Sequence, residues 1–345
     1  MSPKTIIILA VLAICTTIGA SLAVSFDSGA RQDSRIGAAL FPDLIDEAND
    51  VASITLKSNF STLTLDRSSV GWTLRESDGY PVQTVKANGA VLDLAFLRFH
   101  EPKTNRPDKY AKLNLLDFDA SDSGSSYVIV RDKDKAVLAE LIVGNSKFNL
   151  PGTKTGGVYV RLPGDARAWL AQGNVNLNGQ ASHWLERSIL SITRDRIKRV
   201  EVGRPPAKPV VVTKQSAKSL VFSLQGMPAN FKLLYKGEPA LIASNLEDLM
   251  LEDVRKAGTI AFAPGNTNKT VFETFDGLGI IVETTANNGG TWARFALVAK
   301  PDAAPSVTTE AKKLTERTKR WVYRVPAFRA ARFTKSMAEL IEPAR

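Results

Sequence analysis

Apolar and polar positions alternate in short runs from residue 51 onward. Ile54-Thr55-Leu56, Leu63-Thr64-Leu65 and Trp72-Thr73-Leu74 each follow a two-residue period and stop at the turn pair Asp78-Gly79. That pattern predicts three short strands in a meander. The second half offers counterparts in Val200-Glu201-Val202, the apolar run Val210-Val211-Val212 and Phe222-Ser223-Leu224, each about 146 to 150 residues later.

Helical spacing follows each set of strands: Val91, Leu92, Leu94, Ala95 and Leu97 in the first half, Leu241, Ile242, Leu246, Leu249 and Met250 in the second. Strands then resume. Tyr127–Val130 and Val137–Val143 flank the turn Asp132 to Lys135, and Val271–Phe275 and Leu278–Val282 flank Asp276-Gly277. Both halves end on aromatic-x-Arg-apolar, as Tyr159-Val160-Arg161-Leu162 and Trp292-Ala293-Arg294-Phe295. Strands and helices do not alternate one for one, so the expected class is α+β: two tandem pseudo-repeated subdomains of short antiparallel strands with packed helices. The expected boundaries are 1–25 for a terminal membrane segment, 26–50 for a linker and short helix, 51–190 and 191–305 for the subdomains, and 306–345 for a basic helical segment.

The terminal segment is the longest apolar run. Thr5 to Val24 carries no charged side chain and is about long enough, at roughly 20 residues, to span a bilayer as a helix. Lys4 favours a cytoplasmic amino terminus, which places the body across the cytoplasmic membrane, in the periplasm. Two readings stand: a retained single-pass anchor, or a signal peptide cut after Ala23 in the small-residue pair Ser21 and Ala23. Lipidation fits poorly, because Ile14 precedes Cys15 and that cysteine lies mid-segment. As the chain's single cysteine falls there, the body holds no thiol, as suits an oxidising compartment.

Composition narrows the chemistry. Two histidines and one cysteine in 345 residues do not make the usual zinc, haem or iron-sulfur sites. The net charge of +10 concentrates in Glu186–Lys218 and Glu310–Lys335. A basic surface of this kind is either a solvated face or a contact for a partner or anionic lipid. The candidate contact residues are Arg317, Lys319, Arg320, Arg324, Arg329, Arg332 and Lys335. Nucleic acid is not expected, given the exported topology and the lack of a zinc-finger, homeodomain or RNA-recognition pattern. Phe328, Ala331, Phe333, Met337, Leu340 and Ile341 form an imperfect apolar helical face, which either docks on the second subdomain or lies on a membrane or permease.

Several segments carry a family resemblance: Leu40-Phe41-Pro42, Trp72-Thr73-Leu74, Tyr80-Pro81-Val82, Leu97 to Thr104, Pro107 to Leu113, Ile142-Val143-Gly144, Val158 to Arg161, Trp169-Leu170, Trp184 to Arg187 and Trp321 to Pro326. In order and spacing they resemble a bacterial family of unknown function encoded beside gliding-motility-type ABC transporters. The resemblance spans about residues 36 to 342. It implies an anchored envelope protein accompanying an ABC permease and its ATPase, and it implies no catalytic residue and no cofactor.

The chain has no G-x-S-x-G elbow and no Walker A pattern, so neither an α/β-hydrolase serine nor ATP hydrolysis is expected of it. His100, beside Glu101, is read as a candidate general base or an exposed cap, and His183, beside Trp184, as structural. The glycines of Asp276-Gly277-Leu278-Gly279 and Asn288-Gly289-Gly290 are read as hairpin turns. Tyr110 is expected to plug a core and Arg161 to reach an acidic partner. The expected function is a non-enzymatic, membrane-anchored accessory of an ABC transporter. The alternatives are a secreted glycan- or lipid-binding module and an extracytoplasmic hydrolase whose site is invisible in sequence order.

Overall fold

In the computed structural model the described residues are 33–344, apart from 152, 154, 204 and 205. The apolar run 5–24, the cleavage site after Ala23, Cys15 and Arg204 therefore lie outside the described residues. Among the described residues no helix is long and apolar enough to cross a membrane. The fold is mixed, with many antiparallel strands in large sheets and few helices.

The chain divides into two compact units that interleave in sequence. One holds residues up to Thr62 and Asn88–Gly179, the other Leu63–Ala87 and Gln180 onward. The helix Thr84–Ala95 carries the chain from the second unit into the first.

In the first unit, the strands lie in the order Val51–Lys57, Ser126–Asp132, Val137–Lys147, Gly157–Arg161, Ala168–Gln172 and Arg98–Pro102. Numbered along the chain, that order is 1-3-4-5-6-2. All five pairings are antiparallel. Alternation supplies the core: Ile54 and Leu56 point inward from the first strand, Val128 and Val130 from the next, and Trp169 is fully buried. Gly144 has a specific reason to be glycine, since a Cβ there would meet the Leu113 carbonyl oxygen at 2.2 Å. Its absence lets the loop after the 3-10 turn Pro107–Leu113 lie against the strand.

The second unit contains an eight-stranded antiparallel sheet. Its strands run Ser223–Leu224, Val210–Thr213, Ile197–Gly203, Thr267–Thr274, Leu278–Asn287, Gly290–Ala299, Trp321–Val325 and Asp253–Lys256. The last six again read 1-3-4-5-6-2. Each unit's first strand carries a bulge just after its first residue, between Val51 and Ser53 and between Ile197 and Arg199. The meander Thr62–Ser68, Gly71–Leu74 and Tyr80–Pro81 also groups with the second unit beyond Thr62. Its turn places Asp78 and Gly79 at φ 58° and 79°.

The hairpins form at the expected turns, including Asp276-Gly277, where Gly277 takes φ 91°. The second expected helix does not continue from Leu241 to Met250. A helix Glu238–Ala243 gives way to a 3-10 turn Ser244–Leu246, and Asp248 at φ 43° turns the chain into the strand Leu249–Met250. Pro239 starts that helix, and Asp248 breaks its period before Leu249. Leu246 and Leu249 are buried all the same.

Residues 306–345 comprise several elements. The helix Pro305–Thr318 is anchored by Arg196, which donates to both Glu310 carboxylate oxygens at 2.9 and 2.8 Å and to Asp276 at 3.0 Å. The β-favouring Trp321–Val325 then forms an inner strand, and Pro326 leads into the helix Ala327–Arg332. Ile341–Pro343 finally pairs with Phe231–Leu233. Docking is carried by Phe333 and Leu340, both buried, with Phe333 edge-on to Phe272 at 6.2 Å. Thr270 donates from its hydroxyl to the Phe333 carbonyl at 2.9 Å. Phe333→Ala is accordingly expected to destabilise the second unit by about 3–5 kcal/mol, while Phe328→Ala, at a side chain left 59% exposed, should stay within about 0.5 kcal/mol. Denaturant melts of the two variants check this, and equal losses would contradict the docking.

Candidate interaction clefts on the basic strand

The strand Trp321–Val325 is hydrogen-bonded on both sides, to Gly290–Ala299 through Thr291–Ala293 and to the edge strand Asp253–Lys256 along its length. An open cleft lies at each end. The first, of about 450 Å³, is lined by Asp78, Gly79, Lys256, Ala257, Arg320 and Trp321. The second, of about 360 Å³, includes Glu252, Gly289, Gly290, Thr291 and Arg324.

The seven candidate cations separate by what they touch. Arg329 is committed inward: it donates to the carbonyls of Ser244 at 3.0 Å and Glu247 at 2.8 Å, where the helix and its 3-10 extension end. Burial, with Arg332 nearby, holds its pKa below the usual arginine value. Arg317 donates to the Ile189 carbonyl. Lys319 pairs with Glu316 at 2.6 Å, Lys335 reaches Glu238 at 3.7 Å, and Arg332 lies over the Phe328 ring at 5.7 Å. Arg324 stands 3.4 Å from Glu252, yet its buried Nε makes no hydrogen bond. A Cβ on Gly290 would meet the Arg324 Cδ at 2.7 Å, so this glycine gives the arginine room to lie in its cleft. Arg320 is exposed and lines the first cleft, close enough to Glu316 to help lower its pKa.

Register gives Arg320 a companion that composition did not single out. Lys256 lies opposite Trp321, and the Ala257 N–H bonds the Arg320 carbonyl at 2.8 Å, so the Lys256 and Arg320 side chains share one cleft. Both are exposed. The wall behind them is aromatic and rigid: Tyr80 meets Trp321 edge-on at 4.9 Å and Tyr323 at 6.2 Å. Burial pushes the Tyr80 phenol up to about 12 and raises Tyr323 as well, so both stay neutral at physiological pH. The cleft thus presents two cations and the Asp78 carboxylate against an apolar wall.

Backbone pairing is closed to a partner here. The Val254 N–H bonds the Asp253 carboxylate at 2.8 Å, and the Val254 carbonyl accepts from Arg255 Nη1 at 2.8 Å. The Lys256 N–H bonds Asp78 Oδ2 at 3.2 Å, and the Lys256 carbonyl accepts from the Thr259 hydroxyl at 2.7 Å. Side chains therefore occupy the groups that this edge strand would offer to an added strand. Sequence period placed neither this strand nor Trp321–Val325, which falls in the segment expected to be helical, and the outward face depends on the register between the two.

The other candidates resolve differently. His183 sits edge-on to Trp184 at 5.2 Å, and burial with the nearby Lys86 charge lowers its pKa. His100 lies on the strand Arg98–Pro102. Neither histidine lines the clefts at Arg320, Arg324 or Arg161. No group of three metal-ligating side chains occurs among the described residues.

Removing the edge's side-chain caps with Asp253→Ala and Arg255→Ala together should expose the Val254 N–H and carbonyl. The expected result is concentration-dependent self-association beyond that of the unaltered protein, read by sedimentation velocity. An unchanged sedimentation profile would show that the caps do not protect the edge.

Comparison with known proteins gives one match. No curated protein and no solved structure matches the chain. Residues 48–274 match the family described as Domain of unknown function (DUF4340). The match takes in Lys256 and Asp78 and ends before Arg320 and Trp321. Since it covers more than half of the chain, the protein belongs to the DUF4340 family.

Proposed function

We propose that the protein is a non-catalytic, membrane-anchored accessory of an ABC-transporter system, acting by protein contact from the extracytoplasmic side. The observation that carries this reading is the Lys256–Arg320 cleft: two exposed cations with one carboxylate, Asp78, on an aromatic wall beside an edge strand whose outward groups are occupied. A partner engages such a surface through side chains. An acidic segment suits it, because charge complementarity would steer encounter while Trp321 supplies apolar contact. The apolar run Thr5 to Val24 supports the anchor, and the family resemblance supports the transporter.

The shared 1-3-4-5-6-2 order of six strands, with a bulge at the same place in each first strand, supports reading the two units as one duplicated plan. Duplication leaves one copy free to scaffold while the other diverges. In this reading the second unit's basic segment is the diverged part, and it meets the permease.

The test is recovery from native membranes in mild detergent, with the co-purifying chains and the intact mass of the bait read by mass spectrometry. The full-length protein should retain residues 1–24 and bring down a permease with its ATPase. Lys256→Glu with Arg320→Glu should lower that recovery by about tenfold or more, the effect of losing roughly 1.4 kcal/mol. A soluble bait beginning near Val24 with no membrane partner would refute the reading.

A further inference from the structure

The first unit carries a second constellation that the transporter reading does not use. Arg161 ends the strand Gly157–Arg161 opposite Ile142 on one side and Ala168 on the other. Its side chain is only 11% exposed. The guanidinium lies 4.7 Å over the Tyr110 ring, and Nε and Nη2 each donate to the Leu115 carbonyl at 3.3 Å. Nη2 also donates to Asp117 Oδ1 at 2.5 Å, although the Asp117 side chain is 69% exposed. Nη1 donates to no protein atom among the described residues.

Burying a guanidinium is costly unless its charge and donors are matched, and one carbonyl with one solvated carboxylate is a partial match. The remaining donor belongs to a side chain that lines two open clefts, of about 420 and 400 Å³, which share Arg161, Asp117 and Gly164. Tyr110 and Asp165 line the first; Phe118, Asp119 and Tyr127 line the second. Phe118 and Tyr127 stack at 5.1 Å with their planes 8° apart.

Charge decides the ligand class. Of the acids that line the clefts, Asp117 is paired with Arg161 and Asp165 with Arg35, which also holds Asp33, while Lys57 lies beyond the lining, 5.3 Å from the Phe118 ring centre. With Asp165 held ionised by the Arg167 N–H and by Arg35 despite its burial, the groove offers fixed acceptors beside fixed donors. An anion would meet three carboxylates, and a cation would have to displace Arg161 from Asp117 and Arg35 from Asp165. A neutral polyhydroxylated chain uses both, its hydroxyl pairs bridging carboxylate and guanidinium and its ring faces meeting the aromatics.

We infer that the two clefts around Arg161 form one binding groove for a neutral oligosaccharide segment, with Arg161 and Asp119 as hydrogen-bonding residues and Phe118 with Tyr127 as the apolar contact. The groove lies within one unit and within the residues that match the family, and it stands whether or not the transporter reading holds.

The test is calorimetric titration of the full-length protein, in a detergent without a sugar headgroup, with chitohexaose, cellohexaose and soluble peptidoglycan strands. At least one should bind, and Asp119→Asn, Phe118→Ala and Arg161→Lys should each weaken it by about tenfold or more. Asp119 is exposed and Phe118 half-buried, so those two variants keep the test decisive if Arg161→Lys fails to fold. Failure of all three glycans to bind, unchanged affinity in the Asp119 and Phe118 variants, or displacement of the bound glycan from the groove by citrate or an acidic peptide would each overturn the inference.

Discussion

The strand Trp321–Val325 must be hydrogen-bonded on both sides, and much of the second unit's surface follows from that requirement. Its pairing with Gly290–Ala299 and with Asp253–Lys256 sets Arg320 at one end and Arg324 at the other. Each end opens into a cleft. Beyond Val325 the chain has to return over the sheet, where Phe333 fills a site against Phe272 and Arg329 bonds the carbonyls at a helix end. One inner strand thus divides the basic segment into cations spent on structure and cations presented to solvent.

That division explains why net charge is a poor guide to a contact surface. Arg329 and Arg317 donate to main-chain carbonyls, and Lys319 is paired with Glu316. Exposed pairs of the last kind contribute little to stability. Lys256 lies outside both charge-rich segments, and it reaches Arg320 only because antiparallel register puts it opposite Trp321. The aromatic wall and the capped edge sharpen the same cleft, since a partner must engage side chains.

The hairpin strands were legible in the sequence because a two-residue period and glycine or aspartate turns are local signals, whereas Asp253–Lys256 and Trp321–Val325, the latter in a segment expected to be helical, were not. The hairpins around Asp132 to Lys135 and Asp276-Gly277 form as the pattern predicts. Tyr110 and Arg161 also behave as their residue types suggest, one in a core cluster with Leu115 and Ile142, the other reaching Asp117. The helix read from Leu241 to Met250 failed where local pattern fails, because Leu249 and Met250 kept a helical period while Asp248 turned the chain into a strand. The grooves on either side of Arg161 were invisible for another reason. They join residues from 107 to 166, and the close approach allowed by Gly144 lets that loop pack on the sheet.

In the proposed function, the Lys256–Arg320 cleft faces a membrane partner. Photo-crosslinking in cells tests it most directly, with a photoreactive side chain placed at Arg320 and, as a control, at the exposed Phe148 of the first unit. The account predicts a crosslink to a permease subunit from position 320 and none from 148. Crosslinks to lipid alone, or equal yields from both positions, would contradict it.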